Sequence, residues 1–245
     1  MDMTKRYKGV FFDLGGTLRI AFHPEAYERH ARRKLAELAG STLPVEEFFQ
    51  MVEARYEPYR KWALGENREA GDEELWCKWL LPDYDPHHIR SACHELSFQY
   101  RQASGYRLVV DGGVEVIKAL HARGYKLGII SNLIGEHEVP DWLEEDGLDS
   151  YFDSVVLSST CHVRKPDPEI YRIAAGELGL DLADCVSVAD NAKRDLPGAL
   201  AAGMGCNILF NSPERKQPLV QAGDHGSDAV VNDFRELLDL LPALE

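Results

Sequence analysis

The chain has 245 residues, 44% of them hydrophobic and 28% charged, which is enough to bury a sizeable core in one large domain or in a core with an insertion. A formal net charge of −14, a pI near 5.1 and the lack of any run of Lys and Arg argue against nucleic-acid or anionic-membrane partners, which a like-charged surface repels. The five cysteines (Cys77, Cys93, Cys161, Cys185, Cys206) show no CxxC pair and no metal-ligand spacing, so they read as free thiols in a reducing compartment. No signal-peptide order at the N-terminus and no apolar run near the roughly 20 residues of a membrane span make a cytoplasmic protein the expectation.

The first element is a short apolar strand, Gly9-Val10-Phe11-Phe12, which delivers Asp13 into the turn Leu14-Gly15-Gly16-Thr17-Leu18. A buried strand carries such a carboxylate to the carboxyl edge of a sheet, where glycines let a ligand approach and leave backbone N–H groups free for an anion. That position suits a nucleophile, although an isolated Asp-x-Gly-Gly also reads as a turn cap. Helical periodicity begins near Pro24 with Ala26, Tyr27, His30, Leu35 and Leu38, and stops at Gly40. Further helices are expected over residues 45–64, 72–80 and 86–104, with no strand in this block. Its aromatics, among them Phe48, Tyr59, Trp62, Trp76 and Trp79, fall at spacings that suit the interior of a helical bundle.

From about Leu108 the pattern alternates. Helices are expected at residues 112–123, 136–145, 167–178 and 193–202, and strands at 126–131, 154–157, 185–189 and 206–210. A polar loop over residues 211–227, a strand at 229–231 and a closing helix at 233–241 complete the chain. Strands bounded by helices imply a parallel sheet covered on both faces, with ligands at the strands' carboxyl ends. Asp13, Ser131 and Asp190 all fall at such ends.

Four segments follow one another in a specific order: the Asp13 turn, Leu127-Gly128-Ile129-Ile130-Ser131-Asn132, Val163-Arg164-Lys165-Pro166-Asp167-Pro168, and Val188-Ala189-Asp190 through Asp195-Leu196-Pro197-Gly198-Ala199. Together they resemble the haloacid dehalogenase superfamily, from about Tyr7 to the C-terminal helix. The resemblance implies a Rossmann-like α/β core over residues 1–18 and 107–245, with a helical cap of the first type inserted at 19–106. It also implies roles. Asp13 would be the nucleophile, Lys165 would offset the charge of nucleophile and phosphate, and Ser131, Asn132 and Gly16 would bind the transferring phosphoryl group. Magnesium would be held by Asp13, the carbonyl of Gly15, Asp190 and Asp195, an oxygen set that suits this ion.

The chemistry agrees with that resemblance. Phosphoryl transfer needs an aligned nucleophile, a divalent cation on the equatorial oxygens and fixed positive charge. An aspartate nucleophile passes through an acyl-phosphate that water hydrolyses. Three clustered aspartates without a cation would repel one another, which favours a metal. One position departs from the family's phosphatases: the second aspartate, two residues after the nucleophile, is Gly15 here, and loss of a general acid–base typically costs about 10²- to 10⁴-fold in rate. His162, three residues before Lys165, is a candidate for the missing proton donor, beside the plainer reading of a surface or packed histidine. The favoured expectation is magnesium-dependent hydrolysis of a small phosphate monoester. The alternatives are a metal-independent 2-haloacid dehalogenase-type hydrolase and a catalytically weak phosphate-binding protein.

Overall fold

The computed structural model describes residues 7–213 and 221–244. A six-stranded parallel sheet forms its centre. The strands are β1 (Gly9–Phe12), β4 (Lys126–Ser131), β5 (Ser154–Leu157), β6 (Cys185–Ala189), β7 (Cys206–Phe210) and β8 (Ala229–Val231), in the spatial order β5-β4-β1-β6-β7-β8. All five pairings are parallel. β1 is entirely buried, because a strand covered on both faces needs apolar residues at every position rather than at alternate ones. Its side chains still alternate. Val10 and Phe12 enter the cluster of α5 (Gly113–Ala122) and α6 (Glu138–Glu145), and Phe11 enters that of α8 (Glu169–Leu178).

The expected helical block is present as α1 (Glu25–Leu38), α2 (Val45–Glu66), α3 (Asp72–Glu74) continuing into a π-helical stretch Leu75–Leu80, and α4 (Pro86–Gln102). Trp76, Tyr59, Phe48, Leu35 and Leu96 pack into a hydrophobic cluster separate from those of the sheet, as aromatics at helical spacing imply. Trp76 Nε1 donates to Ser97 Oγ at 2.8 Å, which satisfies the only polar atom of the largest buried side chain.

One expectation is corrected. The block is not free of strand: residues 19–22 form β2 (Arg19–Phe22), which pairs antiparallel with β3 (Tyr106–Val109), Arg19 opposite Val109 and Ala21 opposite Arg107. Four residues carry too little periodicity to register, and the partner strand lies far along the chain. Side-chain alternation puts Arg19, Ala21 and Arg107 on one face of this ribbon.

Helix starts also shift, for local reasons. The last α-helix before β7, α9 (Asp195–Ala202), begins two residues later than the pattern suggests, because Asn191 Oδ1 accepts from the N–H groups of Lys193 and Arg194 and holds a turn there. Likewise Asp167 Oδ1 accepts from Glu169 N at the start of α8. A short helical turn, α7 (Ser158–Cys161), follows β5 unannounced, and the closing segment is a 3-10 turn Phe234–Glu236 leading into α10 (Leu237–Leu240). Of the expected 211–227 loop, residues 214–220 lie outside the described residues, and the remainder includes a 3-10 turn at Asp224–Gly226. The signal-peptide reading likewise bears on residues 1–6, outside the described ones. No described helix is long and apolar enough to cross a membrane.

Candidate active site

β1 lies between β4 and β6, so the residues that follow these three strands meet at one edge. Asp13 directly follows β1 and its N–H donates to Val188 O at 3.0 Å, which extends the ladder by one step before the chain turns. The turn is tight, with Thr17 N donating to Leu14 O and Leu18 N to Asp13 O. Gly16 adopts φ +80°, a conformation that favours glycine, and a Cβ there would lie 2.7 Å from Asp190 Oδ2 and press on that side chain. Gly15 is different: it is exposed, and a Cβ would meet nothing within 4 Å.

Buried charge dominates the site. Lys165 Nζ donates to Asp13 Oδ1 at 2.7 Å and to Ile130 O at 2.8 Å, and lies 2.7 Å from Asp195 Oδ1, with a side chain 1% exposed. Its backbone is held by Asn132, whose Nδ2 donates to Lys165 O and whose Oδ1 accepts from Lys165 N. Asn132 lines the same cavity as Asp13, with its side-chain amide engaged in placing the lysine. Ser131, the last residue of β4, is buried and lines the cavity beside Asp13.

Arg194 was given no role by the sequence reading. Its Nη2 donates to Asp13 Oδ2 at 2.7 Å and to Asp195 Oδ2 at 2.9 Å, and lies 3.9 Å from Asp190 Oδ1. The available signal was its position one residue before Asp195, in the turn that Asn191 fixes at the sheet's active edge. Complete burial works against the Asp195 charge, but Lys165 and Arg194 together hold its carboxyl below the usual carboxylate range. Asp190 goes the other way, pushed up to about 6 by burial and then by the Asp13 charge. His162 is exposed, with its ring Nδ1 3.2 Å from Glu69 O, and does not line the Asp13 cavity.

That cavity has a volume of about 310 Å³. Asp13, Gly15, Gly16, Ser131, Asp190 and Arg194 line one part of it, and Arg19, Arg101, Arg107 and Glu138 another. A larger cavity of about 490 Å³ shares Arg19 and Glu138 but contains none of the motif residues. The smaller one is therefore the candidate active-site cavity.

A parallel α/β sheet that gathers an aspartate, a lysine and an acidic pair at its carboxyl edge is the arrangement of a class of hydrolases. Residues 7–203 match the family model of the haloacid dehalogenase-like hydrolases, and the chain belongs to that family. It is an enzyme of the hydrolase type. The glyceraldehyde 3-phosphate phosphatase of Methanopyrus kandleri is 27% identical over 244 residues, covering 97% of this chain and 98% of that protein. Among solved structures, the 2-haloacid dehalogenase of Pseudomonas syringae pv. Tomato superposes with a TM-score of 0.68 at 21% identity, over 96% of this chain and 98% of its own. A putative hydrolase of the family from Bacillus subtilis, bound to magnesium, superposes with a TM-score of 0.61 at 20% identity, over 97% and 99%. The two structural likenesses establish the fold alone.

The raised Asp190 pKa has a stability consequence with a definite sign. Between pH 4 and about 6 the folded chain retains a proton that the unfolded chain has released, so stability falls as pH rises through that window. In chelator-treated buffer, the wild type is expected to lose about 1–3 kcal/mol more than Asp190→Asn between pH 4 and pH 7, read from urea denaturation. Parallel pH profiles for the two proteins would show that Asp190 titrates normally.

Proposed function

We propose that this chain is a magnesium-dependent phosphatase that hydrolyses a small phosphate monoester through an aspartyl-phosphate on Asp13. The observation that carries this reading is the buried Asp13 carboxylate, opening onto a cavity at the sheet's carboxyl edge while a buried lysine holds one of its oxygens. The phosphatase named among its relatives supports the same class. Residues 19–106 serve as the cap, since Arg101 of α4 closes part of the cavity from that side.

The donor set fits a magnesium ion. One carboxylate oxygen from each of Asp13, Asp190 and Asp195 lies within 4.8 Å of the others, and three carboxylates against Lys165 and Arg194 leave one negative charge uncompensated. Hard oxygen ligands with surplus negative charge are what this ion selects. Asp13, Asp190 and the Gly15 carbonyl would hold it, with Asp195 directly or through water, and it would neutralise charge on the phosphoryl oxygens.

The chain's own residues do the rest. An Asp13 oxygen attacks phosphorus, the P–O bond to the leaving alkoxide breaks, and water then hydrolyses the acyl-phosphate to return the carboxylate. Lys165 holds one Asp13 oxygen and so orients the carboxylate for this attack. Arg194 holds Asp13 Oδ2, and its side chain is 33% exposed, so it has room to yield that oxygen when substrate and cation arrive. With Gly15 in place of an acid, alkoxide leaving groups depart without a proton from that position.

A second reading has one observation behind it. Arg194 already supplies positive charge to the acidic cluster, as a metal-free displacement of halide from carbon would require. Turnover separates the two: phosphate release from an aryl phosphate that requires magnesium and is lost in Asp13→Asn supports the phosphatase, whereas halide release from a 2-haloacid in chelator supports the other.

Two variants probe the departures of this site. Because the space beside Gly15 is open, Gly15→Asp is expected to fold normally and to raise kcat on alkyl phosphates by about tenfold or more, with little change on aryl phosphates, whose leaving groups need no proton. Arg194→Gln removes a cation bonded to Asp13 and Asp195, two of the carboxylates that would hold the metal, so calorimetry is expected to show magnesium binding tightened by about tenfold or more. Unchanged affinity would mean that guanidinium and metal do not compete.

A further inference from the structure

The two parts of the Asp13 cavity carry opposite charge. Around Asp13 the three carboxylates outnumber Lys165 and Arg194 by one. In the other part, the guanidinium groups of Arg19, Arg101 and Arg107 line the cavity with one carboxylate, that of Glu138. Arg101 Nε donates to Glu138 Oε2, Arg19 Nη1 lies 3.6 Å from Glu138 Oε1, and the Arg107 charge also acts on this carboxyl. Glu138 is 5% exposed; burial opposes its ionisation, yet the arginines hold its carboxyl below the usual carboxylate range.

Such a grouping is costly to assemble. Burial depresses the Arg19 pKa, and the Glu138 and Asp146 charges only partly offset burial and the repulsion from Arg101. Arg19 Nε is buried and has no hydrogen-bond partner among the described residues. The fold nevertheless delivers the three arginines from separate elements to one wall: Arg19 and Arg107 from the same face of the β2–β3 ribbon, and Arg101 from the end of α4. In a chain of net charge −14, a concentrated positive wall inside the catalytic cavity is an exception that calls for an anion.

We propose that Arg19, Arg101 and Arg107 recognise a second oxyanion of the substrate, a carboxylate or a second phosphoryl group, at the end opposite the reacting phosphorus. This rests on the phosphatase reading for the Asp13 end. The substrate is then a small molecule charged at both ends. A cavity of about 310 Å³ holds such a molecule and sits at the low end of the range for small-molecule sites, about 300–1,000 Å³. Guanidinium groups suit the role because their planar N–H forks pair with carboxylate and phosphate oxygens alike. A site that places buried donors for an oxyanion also rejects analogues that lack one, since the donors are then left unpaired.

Binding tests this without turnover. Titration calorimetry on the whole chain with magnesium would compare simple alkylphosphonates with phosphonates of equal length ending in a carboxylate or a second phosphonate, one to three methylenes apart. At least one doubly charged ligand is expected to bind tenfold tighter than its alkyl counterpart, and the better terminal group identifies the oxyanion. Arg107→Gln is expected to erase that preference and Arg107→Lys to restore part of it. Arg107 Nη1 also donates to the backbone carbonyls of Arg101 and Gly105, so Arg101→Gln, which spares those bonds, gives the same readout should the first variant fail to fold. Equal affinities at every length, or an equal loss for both ligand types in the variants, would overturn the proposal. A failed phosphatase reading shows itself separately, as absent aryl-phosphate hydrolysis with the calorimetric preference intact.

Discussion

A single buried ammonium makes the active edge possible. Lys165 Nζ stands between Asp13 and Asp195 at 2.7 Å from each, and all three side chains are almost fully enclosed. Two adjacent carboxylates at such depth ionise together only when countercharge is supplied, and deleting one partner of a buried pair typically costs about 3–5 kcal/mol because the other is left stranded. The lysine is therefore fixed from several directions: Ile130 O accepts its third proton, and Asn132 grips its backbone on both sides. Asn132 thus supports Lys165, and Lys165 supports Asp13.

Arg194 changes the electrostatic argument for a metal. From sequence, the repulsion among three clustered aspartates favours a metal. The guanidinium brings the balance to within one charge, so the repulsion that pointed to a divalent ion is partly met by the chain itself. Asp190 is the acidic group of the three whose pKa rises to about 6, through burial and then the Asp13 charge. Affinity for a divalent ion is then a contest between a tethered cation and a free one.

The features legible in sequence were those carried by consecutive residues. An apolar run ending in Asp13 and two glycines marks a buried strand and a tight turn without reference to the rest of the chain, and so do the runs before Ser131 and Asp190. The ribbon of β2 and β3 was not legible, because each strand is four residues long and pairs across the whole helical block. Arg194 and the arginine wall were hidden for a related reason: a charged side chain looks the same on a solvated surface and in a cleft until the fold says what it faces. His162 shows the converse, a residue close in sequence to Lys165 that the αL backbone at the end of α7 turns elsewhere.

The β2–β3 ribbon also decides how the cavity is mounted. The chain leaves the sheet for the helical block through β2 and returns through β3, so both covalent crossings run along one two-stranded arm. Arg19 and Arg107 ride on that arm, whereas Arg101 rides on the helix just before it. A tilt of the helices about this arm would therefore change the spacing of the three guanidinium groups, which ties the shape of the cavity wall to the mounting of the helical block.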